Sequence, residues 1–230
     1  MPVSSSHLAP RPASGRALGG LPLAPEGAKI ALPLLGGGLI LVLLHITIVG
    51  GILLGAGALV TWFFRDPERT PPDRGGIVLS GADGKVVDVS EGAAPHAPQG
   101  RYKRVSVFMS PLNVHVNRAP VEGEVTAIKH THGDFHAAFN DYASEHNERN
   151  LIVLTDKQGR SHAMVQIAGY LARRIVCRLH PHEPVLLGQR VGIIMFGSRV
   201  DHFLPPEYRA TVAVGEHVKA GESVIGELAQ

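Results

Sequence analysis

Thirteen histidines stand in this chain of 230 residues, and three of them, His130, His132 and His136, fall within seven positions, with His115 and His146 nearby. Side chains alternate across a strand, so His130 and His132 would share a face and could approach one metal ion together. Zinc needs a third ligand and, for catalysis, an open position. The sequence has no His-Glu-x-x-His pair and a single cysteine, Cys177, so the common zinc signatures are missing and no metal is expected. Cys177 reads as one more small buried hydrophobe. Glycine loops do not mark a nucleotide either: Gly36-Gly37-Gly38 lies in an apolar run with no Gly-Lys-Ser/Thr after it. Ser198 follows Gly197, but without the flanking Gly-x-Ser-x-Gly of a hydrolase elbow it is, taken alone, a turn residue.

What these residues can do depends on the elements that hold them. The 27 glycines and 17 prolines exclude a coiled coil or helix bundle, and 44% hydrophobic residues argue against disorder. The net charge of +2, with no basic stripe interleaved with aromatics, is no nucleic-acid footprint. Ile30 to Phe64 contains no Asp, Glu, Lys or Arg, a run of 35 residues. One membrane span takes about 20 residues, so 35 is long for one span and short for two. A single tilted helix competes with a shallow hairpin, roughly 32–47 and 52–64, turning near Gly50-Gly51. Arg11, Arg16 and Lys29 precede the run and Arg65, Arg69 and Arg74 follow it. Cations on both sides place both ends in the cytoplasm, which favours the hairpin.

The predicted organisation is a flexible arm over 1–28, a membrane-associated hydrophobic hairpin over 29–64 and a folded domain over 65–230. In the last, short alternating strands are predicted at Ile77–Ser80, Lys85–Ser90, Arg104–Met109, Gly123–His130, Leu151–Thr155 and Ser161–Ile167, with a helical stretch at Ile167–Arg174. The tail from Ala210 reads as two strands around a Lys219-Ala-Gly221 turn, echoed upstream over His182–Gly192. The fold class is therefore mainly β (α+β): a compact β-sandwich or barrel with lipoyl-like hairpins, preceded by an N-terminal hydrophobic helical hairpin.

The run from Phe196 to Asp201, Phe-Gly-Ser-Arg-Val-Asp, sets Gly-Ser between two apolar segments. It stands in order with Phe64-Arg-Asp-Pro-Glu-Arg69, Ala82-Asp-Gly-Lys-Val86, Phe108-Met-Ser-Pro-Leu-Asn-Val-His-Val-Asn-Arg118, Gly133-Asp-Phe135, Asn147-Glu-Arg-Asn150 and Gln166-Ile-Ala-Gly-Tyr-Leu-Ala-Arg-Arg-Ile175. In these segments, from about Phe64 to Leu228, the chain resembles the phosphatidylserine decarboxylase family in its short membrane-associated form.

The resemblance implies a self-processing proenzyme. Ser198 would attack the Gly197 carbonyl and leave a pyruvoyl cofactor on residue 198. The products would be a β chain 1–197 and an α chain 198–230, held as a heterodimer, with higher oligomers left open. No pyridoxal phosphate is needed, because the pyruvoyl ketone would form a Schiff base with the serine headgroup and take up the electrons when CO₂ leaves. The product would be phosphatidylethanolamine. His115 matches the family's proton donor and Asp83 its self-cleavage aspartate. The long-form enzymes carry a second histidine three residues after the first, as base; Arg118 stands there in this chain. His202, or His115 in both steps, is then the candidate base. Arg199, Asn147 and Arg149 are candidates for binding the substrate phosphate or carboxylate. The partner is phosphatidylserine in the bilayer, not nucleic acid, and the location the cytoplasmic face of the cell membrane, peripheral or anchored by the hairpin. Two other classes remain open: a non-enzymatic membrane-anchored lipoyl-like module, and a histidine-ligated metallohydrolase.

Overall fold

In the computed structural model, which describes residues 22–95, 100–134, 147–169, 174–195 and 197–229, the apolar run forms two helices, α1 (Pro25–Leu43) and α2 (Thr47–Phe63). Pro25 occupies the first turn, where its missing N–H has no partner to lose. The chain reverses at Leu44–Ile46, with His45 at φ +65°, and not at Gly50-Gly51. Those glycines have another use. A Cβ on Gly50 would lie 2.8 Å from the Gly38 carbonyl oxygen, and one on Gly38 2.9 Å from the Leu54 nitrogen. Small residues thus let the two backbones touch, as they do where helices pair in lipid. The helix α1 is long and apolar enough to cross a membrane, and α2 is shorter. Leu32, Leu43, Ile48, Ile52 and Leu59 are exposed along the hairpin.

The open end of the hairpin is fastened to the rest of the molecule. The Ala24 N–H donates to the Phe64 carbonyl at 2.8 Å, and the Asp66 N–H to the Pro22 carbonyl at 2.7 Å. Ala24, Ala28, Phe63 and Phe64 pack with Val114, Val116 and Ile193 in one apolar cluster. Residues 22–28, which the sequence assigns to a flexible arm, are part of this joint; 1–21 lie outside the described residues. Asp66 is buried and holds Arg190 at 2.6 Å and Arg118 at 3.3 Å.

The remainder is β structure. In chain order the strands are β1 (Ile77–Leu79), β2 (Gly84–Gly92), β3 (Tyr102–Met109), β4 (Val116–Arg118), β5 (Gly123–Thr131), β6 (Arg149–Thr155), β7 (Ser161–Ile167), β8 (Ile175–Cys177), β9 (Pro184–Val185), β10 (Arg190–Ile194), β11 (Ser198–Leu204), β12 (Tyr208–Ala210), β13 (His217–Val218) and β14 (Val224–Leu228). A curled eight-stranded sheet runs β13-β2-β3-β11-β7-β6-β5-β9, and its named pairs are all antiparallel. Two three-stranded sheets, β1-β14-β12 and β4-β10-β8, complete the domain.

The main core fills the inside of the curl, with Val86, Val107, Met109, Ile152, Met164 and Val200 among its buried members. A second cluster, with Val153, Val165, Ile167 and Phe203, lies on the other face of the same strands. Burial on both faces explains the continuous apolar run Leu151–Leu154 in β6.

The two lipoyl-like hairpins are present, but their strands do not pair with each other. β13 joins β2 while β14 joins β1 and β12; likewise β9 joins β5 while β10 joins β4 and β8. Gly188 and Gly221 turn the two repeats at the same φ of +72°, and their backbones lie 3.6 Å from each other's would-be Cβ. The matching turns stack, and their strands diverge into different sheets. The helical stretch predicted at Ile167–Arg174 is not seen at its ends, since Ile167 closes β7 and Arg174 lies in no element; 170–173 lie outside the described residues.

Candidate functional site

The strand β11 opens at Ser198, in the middle of the large sheet between β3 and β7. The residue before it, Gly197, has φ +65°, and the space beside its Cα is open. That backbone region disfavours any side chain, which explains glycine there. Ser198 is fully buried, and among the described residues its hydroxyl meets only the Met109 sulfur, at 3.4 Å. A hydroxyl with one weak acceptor is held loosely and can turn toward the neighbouring carbonyl.

His115 closes this step from the other side. It sits between Val114 and Val116, whose burial under the hairpin joint carries the imidazole inward. Its Nε2 accepts the Gly197 N–H at 3.3 Å, and its Nδ1 donates to the Asn113 carbonyl at 2.9 Å. Those two bonds select the neutral Nδ1–H tautomer. Burial pushes its pKa down to about 4, opposed by the Asn113 bond and helped by Arg65. Neutral His115 is therefore a lone-pair holder beside Gly197-Ser198, a base before it is an acid. The ring of Phe63, the last residue of α2, lies 4.4 Å from its ring at 35°.

Behind Ser198 runs a ladder of buried amides. Asn150 donates to Gln166 at 2.9 Å, Gln166 to Asn117 at 2.9 Å, and Asn117 to the Gly81 carbonyl at 3.2 Å. Asn117 also approaches the Met109 sulfur that meets Ser198, at 3.6 Å. Asn117, Asn150 and Gln166 stand within segments that carry the resemblance, but the sequence assigns no individual role to Asn117 or Gln166 and does not show that the three join. A polar residue where the strand pattern calls for an apolar one is the signal that marks them.

His202 is placed differently from the expectation of a base. It shares the Ser198 face of β11, but four extended residues, about 13 Å, separate their backbones. Both ring nitrogens are engaged: Nε2 accepts the Gly81 N–H at 2.8 Å and Nδ1 donates to the Val105 carbonyl at 3.2 Å. Burial pushes its pKa to about 4. Arg118, at the position of the long-form second histidine, is committed to Asp66 and to the carbonyls of Pro67 and Gly188.

Asp83 lies just before β2, two strands from β11, a backbone spacing of about 10 Å. One carboxyl oxygen accepts the Ala220 N–H at 2.8 Å and the other pairs with Arg69 at 3.0 Å. Burial pushes its pKa up against those two partners. Neither Ser198 nor His115 hydrogen-bonds Asp83 among the described residues.

The expected substrate residues fall elsewhere. Arg199 points to the face opposite Ser198, where it is buried on Asp201 at 2.6 Å and Ser106 at 2.9 Å. Arg149 stands across from Ile167, which pairs with Arg199, so it shares that opposite face. The alternation of side chains along β11 decides this. Asn147 is buried with its amide on the Ala168 carbonyl at 2.8 Å. His130 and His132 do lie together, with Glu148, whereas His136 and His146 fall outside the described residues. A cleft of about 560 Å³ between Glu122 and Leu186 opens at the far ends of β5 and β6, away from Ser198.

Comparison with known proteins bears on the same residues. The model of a family described as phosphatidylserine decarboxylase matches residues 56–226. A protein of Desulfotalea psychrophila is 45% identical over 177 residues, covering 77% of this chain and 83% of its own. One of Chlorobium chlorochromatii is 47% identical over 165 residues, 72% of this chain and 77% of its own. One of Mycolicibacterium smegmatis is 44% identical over 180 residues, 77% of each chain. All three carry the name phosphatidylserine decarboxylase proenzyme.

Proposed function

The chain belongs to the phosphatidylserine decarboxylase family, and from that premise we propose that it is a proenzyme that cuts itself between Gly197 and Ser198 and then decarboxylates phosphatidylserine. The observation that carries this is the arrangement at that peptide bond. Gly197 is in a left-handed conformation, its N–H is on His115 Nε2, and the buried Ser198 hydroxyl beside its carbonyl meets, among the described residues, only the weakly accepting Met109 sulfur.

The steps follow from these atoms. His115 Nε2 releases the 3.3 Å bond to the Gly197 amide and takes the Ser198 hydroxyl proton. The Ser198 oxygen bonds the Gly197 carbonyl carbon, the peptide C–N bond breaks, and the nitrogen takes a proton. Loss of the Ser198 Cα proton and of the Cβ–O bond then frees Gly197 as a carboxylate. Water replaces the nitrogen of residue 198, which leaves as ammonia, and a pyruvoyl cap remains. The open space at Gly197 and the apolar Met109 contact fit such a ketone. When present, the ketone supplies an electrophile for the substrate amine and a sink for the electron pair left by CO₂.

Self-cleavage also changes His115. The new Gly197 carboxylate is an anion next to its Nε2, and an adjacent opposite charge favours the protonated ring. The same imidazole is thus a base in the proenzyme and an acid that returns a proton to the product carbon afterwards. Asp83, fixed by Arg69 and the Ala220 amide, holds the strand β2 edge in place in this scheme, and His202 anchors the Gly81 backbone.

Cutting at residue 198 would not release the shorter chain. Its β11 lies between β3 and β7, and β13 and β14 hydrogen-bond to β2 and β1 of the longer chain. The heterodimer is therefore part of the proposal. So is the location: the exposed apolar hairpin, with Arg65 over the Trp62 ring at 4.3 Å, anchors the domain over 65–230 at headgroup depth on the cytoplasmic face. A lipid that stays in the bilayer is then met where its headgroup lies. A denaturing mass spectrum of the purified protein tests the reading. Two chains, with the 198–230 piece lighter than a hydrolysis fragment by one ammonia, support it; a single full-length chain that decarboxylates phosphatidylserine vesicles overturns it.

A further inference from the structure

His130, the last residue but one of β5, pairs with Asn150 on β6. Paired residues share a face, and Glu148, two residues before Asn150, lies on it too. His132 lies just past the end of β5, two residues on, and the rings of His130 and His132 stand 5.0 Å apart at 72°. His130 Nε2 is 3.4 Å from the nearer Glu148 oxygen, and one ligand atom from each of the three lies within 4.8 Å of the others. We propose that His130, His132 and Glu148 form a binding site for a divalent late-transition-metal ion, Zn²⁺ first among them.

Ligand atoms around a tetrahedral zinc at 2.0–2.1 Å stand about 3.4 Å apart. The His130–Glu148 pair already has that spacing, and rotation of exposed histidine side chains closes the remainder. Two imidazoles and one carboxylate are a donor set of the open kind, three protein ligands and a free position. The backbone that carries this carboxylate is fixed on both sides. The Glu148 N–H donates to the Asp134 carbonyl at 3.0 Å, and its carbonyl accepts the Ala168 N–H at 2.9 Å. A simple ion pair between protonated His130 and Glu148 would need only two of the three residues; the third, His132, is what the pair leaves unexplained.

The site is not remote from the chemistry. β7 and β11 pair up to Ile167 and Arg199, one residue short of Ala168 and Ser198. Ala168 is bonded to Glu148, so two strand spacings, about 10 Å, separate Glu148 from Ser198 along the sheet. The two residues also share the inner face. Metal binding here stands whether or not the chain cuts itself, and the test reads metal.

The full-length protein in detergent, stripped by chelator, would be titrated with Zn²⁺ against a chromophoric chelator. One equivalent with micromolar or tighter affinity is expected, weakened at least about tenfold by each of His130→Ala, His132→Ala and Glu148→Gln, and unchanged by His180→Ala with His182→Ala. Equal binding by wild type and the triple variant, or no equivalent in that range, would overturn it. A footprint on the wild type guards against misfolded variants: Zn²⁺ should protect His130 and His132, but not His180 and His182, from diethylpyrocarbonate. Uniform or absent protection speaks against the site.

Discussion

The rings of Phe63 and His115 lie 4.4 Å apart, centroid to centroid. Phe63 is the last residue of the apolar hairpin, and His115 faces the Gly197 amide. This side chain joins the hairpin to the site, so the joint that buries the hairpin base also orients the imidazole. Phe63→Ala should destabilise the fold by about 3 kcal/mol or more through the cavity it leaves. It should also slow self-cleavage, whereas Phe63→Leu should restore stability more than cleavage. Intact-mass time courses alongside denaturant melts would read both; equal recovery of the two would remove the orienting role.

Ser198→Ala should remain a single chain and be inactive, because no oxygen is left to attack Gly197. His115→Ala should also stay uncut over hours at neutral pH. A processed His115→Ala protein would mean that the base lies elsewhere.

Opposite pH dependences are expected for the two steps. Burial holds His115 near a pKa of about 4, so its neutral, basic form prevails above pH ~5. Self-cleavage should be flat from pH 6 to 8 and fall on acidification. After cleavage the Gly197 carboxylate raises the pKa of the same ring, and decarboxylation should fall as pH rises through that raised value. Stopped time courses of cleavage and a CO₂ release assay, run over one buffer series, would separate them; parallel profiles would contradict one histidine in both roles.

Arg118 is expected to hold the structure rather than move a proton. It ties Asp66 and the Pro67 carbonyl, just beyond the hairpin, to the Gly188 turn. Removing one partner from a buried ion cluster costs about 3–5 kcal/mol. Arg118→Ala should lower stability by that order while the surviving folded fraction still cuts itself. Loss of cleavage with unchanged stability would instead place Arg118 in the chemistry.

Acid should also unfold the protein through its buried histidines. His115, His162 and His202 all have pKa values pushed down to about 4 by burial. In the unfolded chain they titrate near 6.5, so unfolding takes up as many as three protons between those values. Their contribution is fully present above pH ~6.5 and is lost as pH falls toward 4, at up to about 4 kcal/mol per pH unit. Denaturant midpoints of the uncut Ser198→Ala chain at pH 8, 6 and 5 would show it. A midpoint that does not move would mean that the rings are solvated in the folded state.

The residue order alone determined a good deal. The charge-free stretch Ile30–Phe64 has to form helices out of water, and the alternating segments after Arg65 have to form strands, because each pattern buries its apolar side chains only that way. The Gly197-Ser198 pair and His115 stand within motifs that carry the resemblance, so the sequence alone proposes them as a site. Tertiary structure decided the rest, since it depends on which face and which strand a residue meets. Arg199 is adjacent to Ser198 in the chain but opposite in space, because β11 alternates. His202 shares the right face but has both nitrogens taken by Gly81 and Val105, more than 90 residues away in sequence. Glu148 reaches His130 and His132 only through the pairing of β5 with β6. Phe63 touches His115 only because the hairpin base docks on Val114 and Val116. Contacts between distant segments are set by packing and register, which no local pattern along the chain encodes.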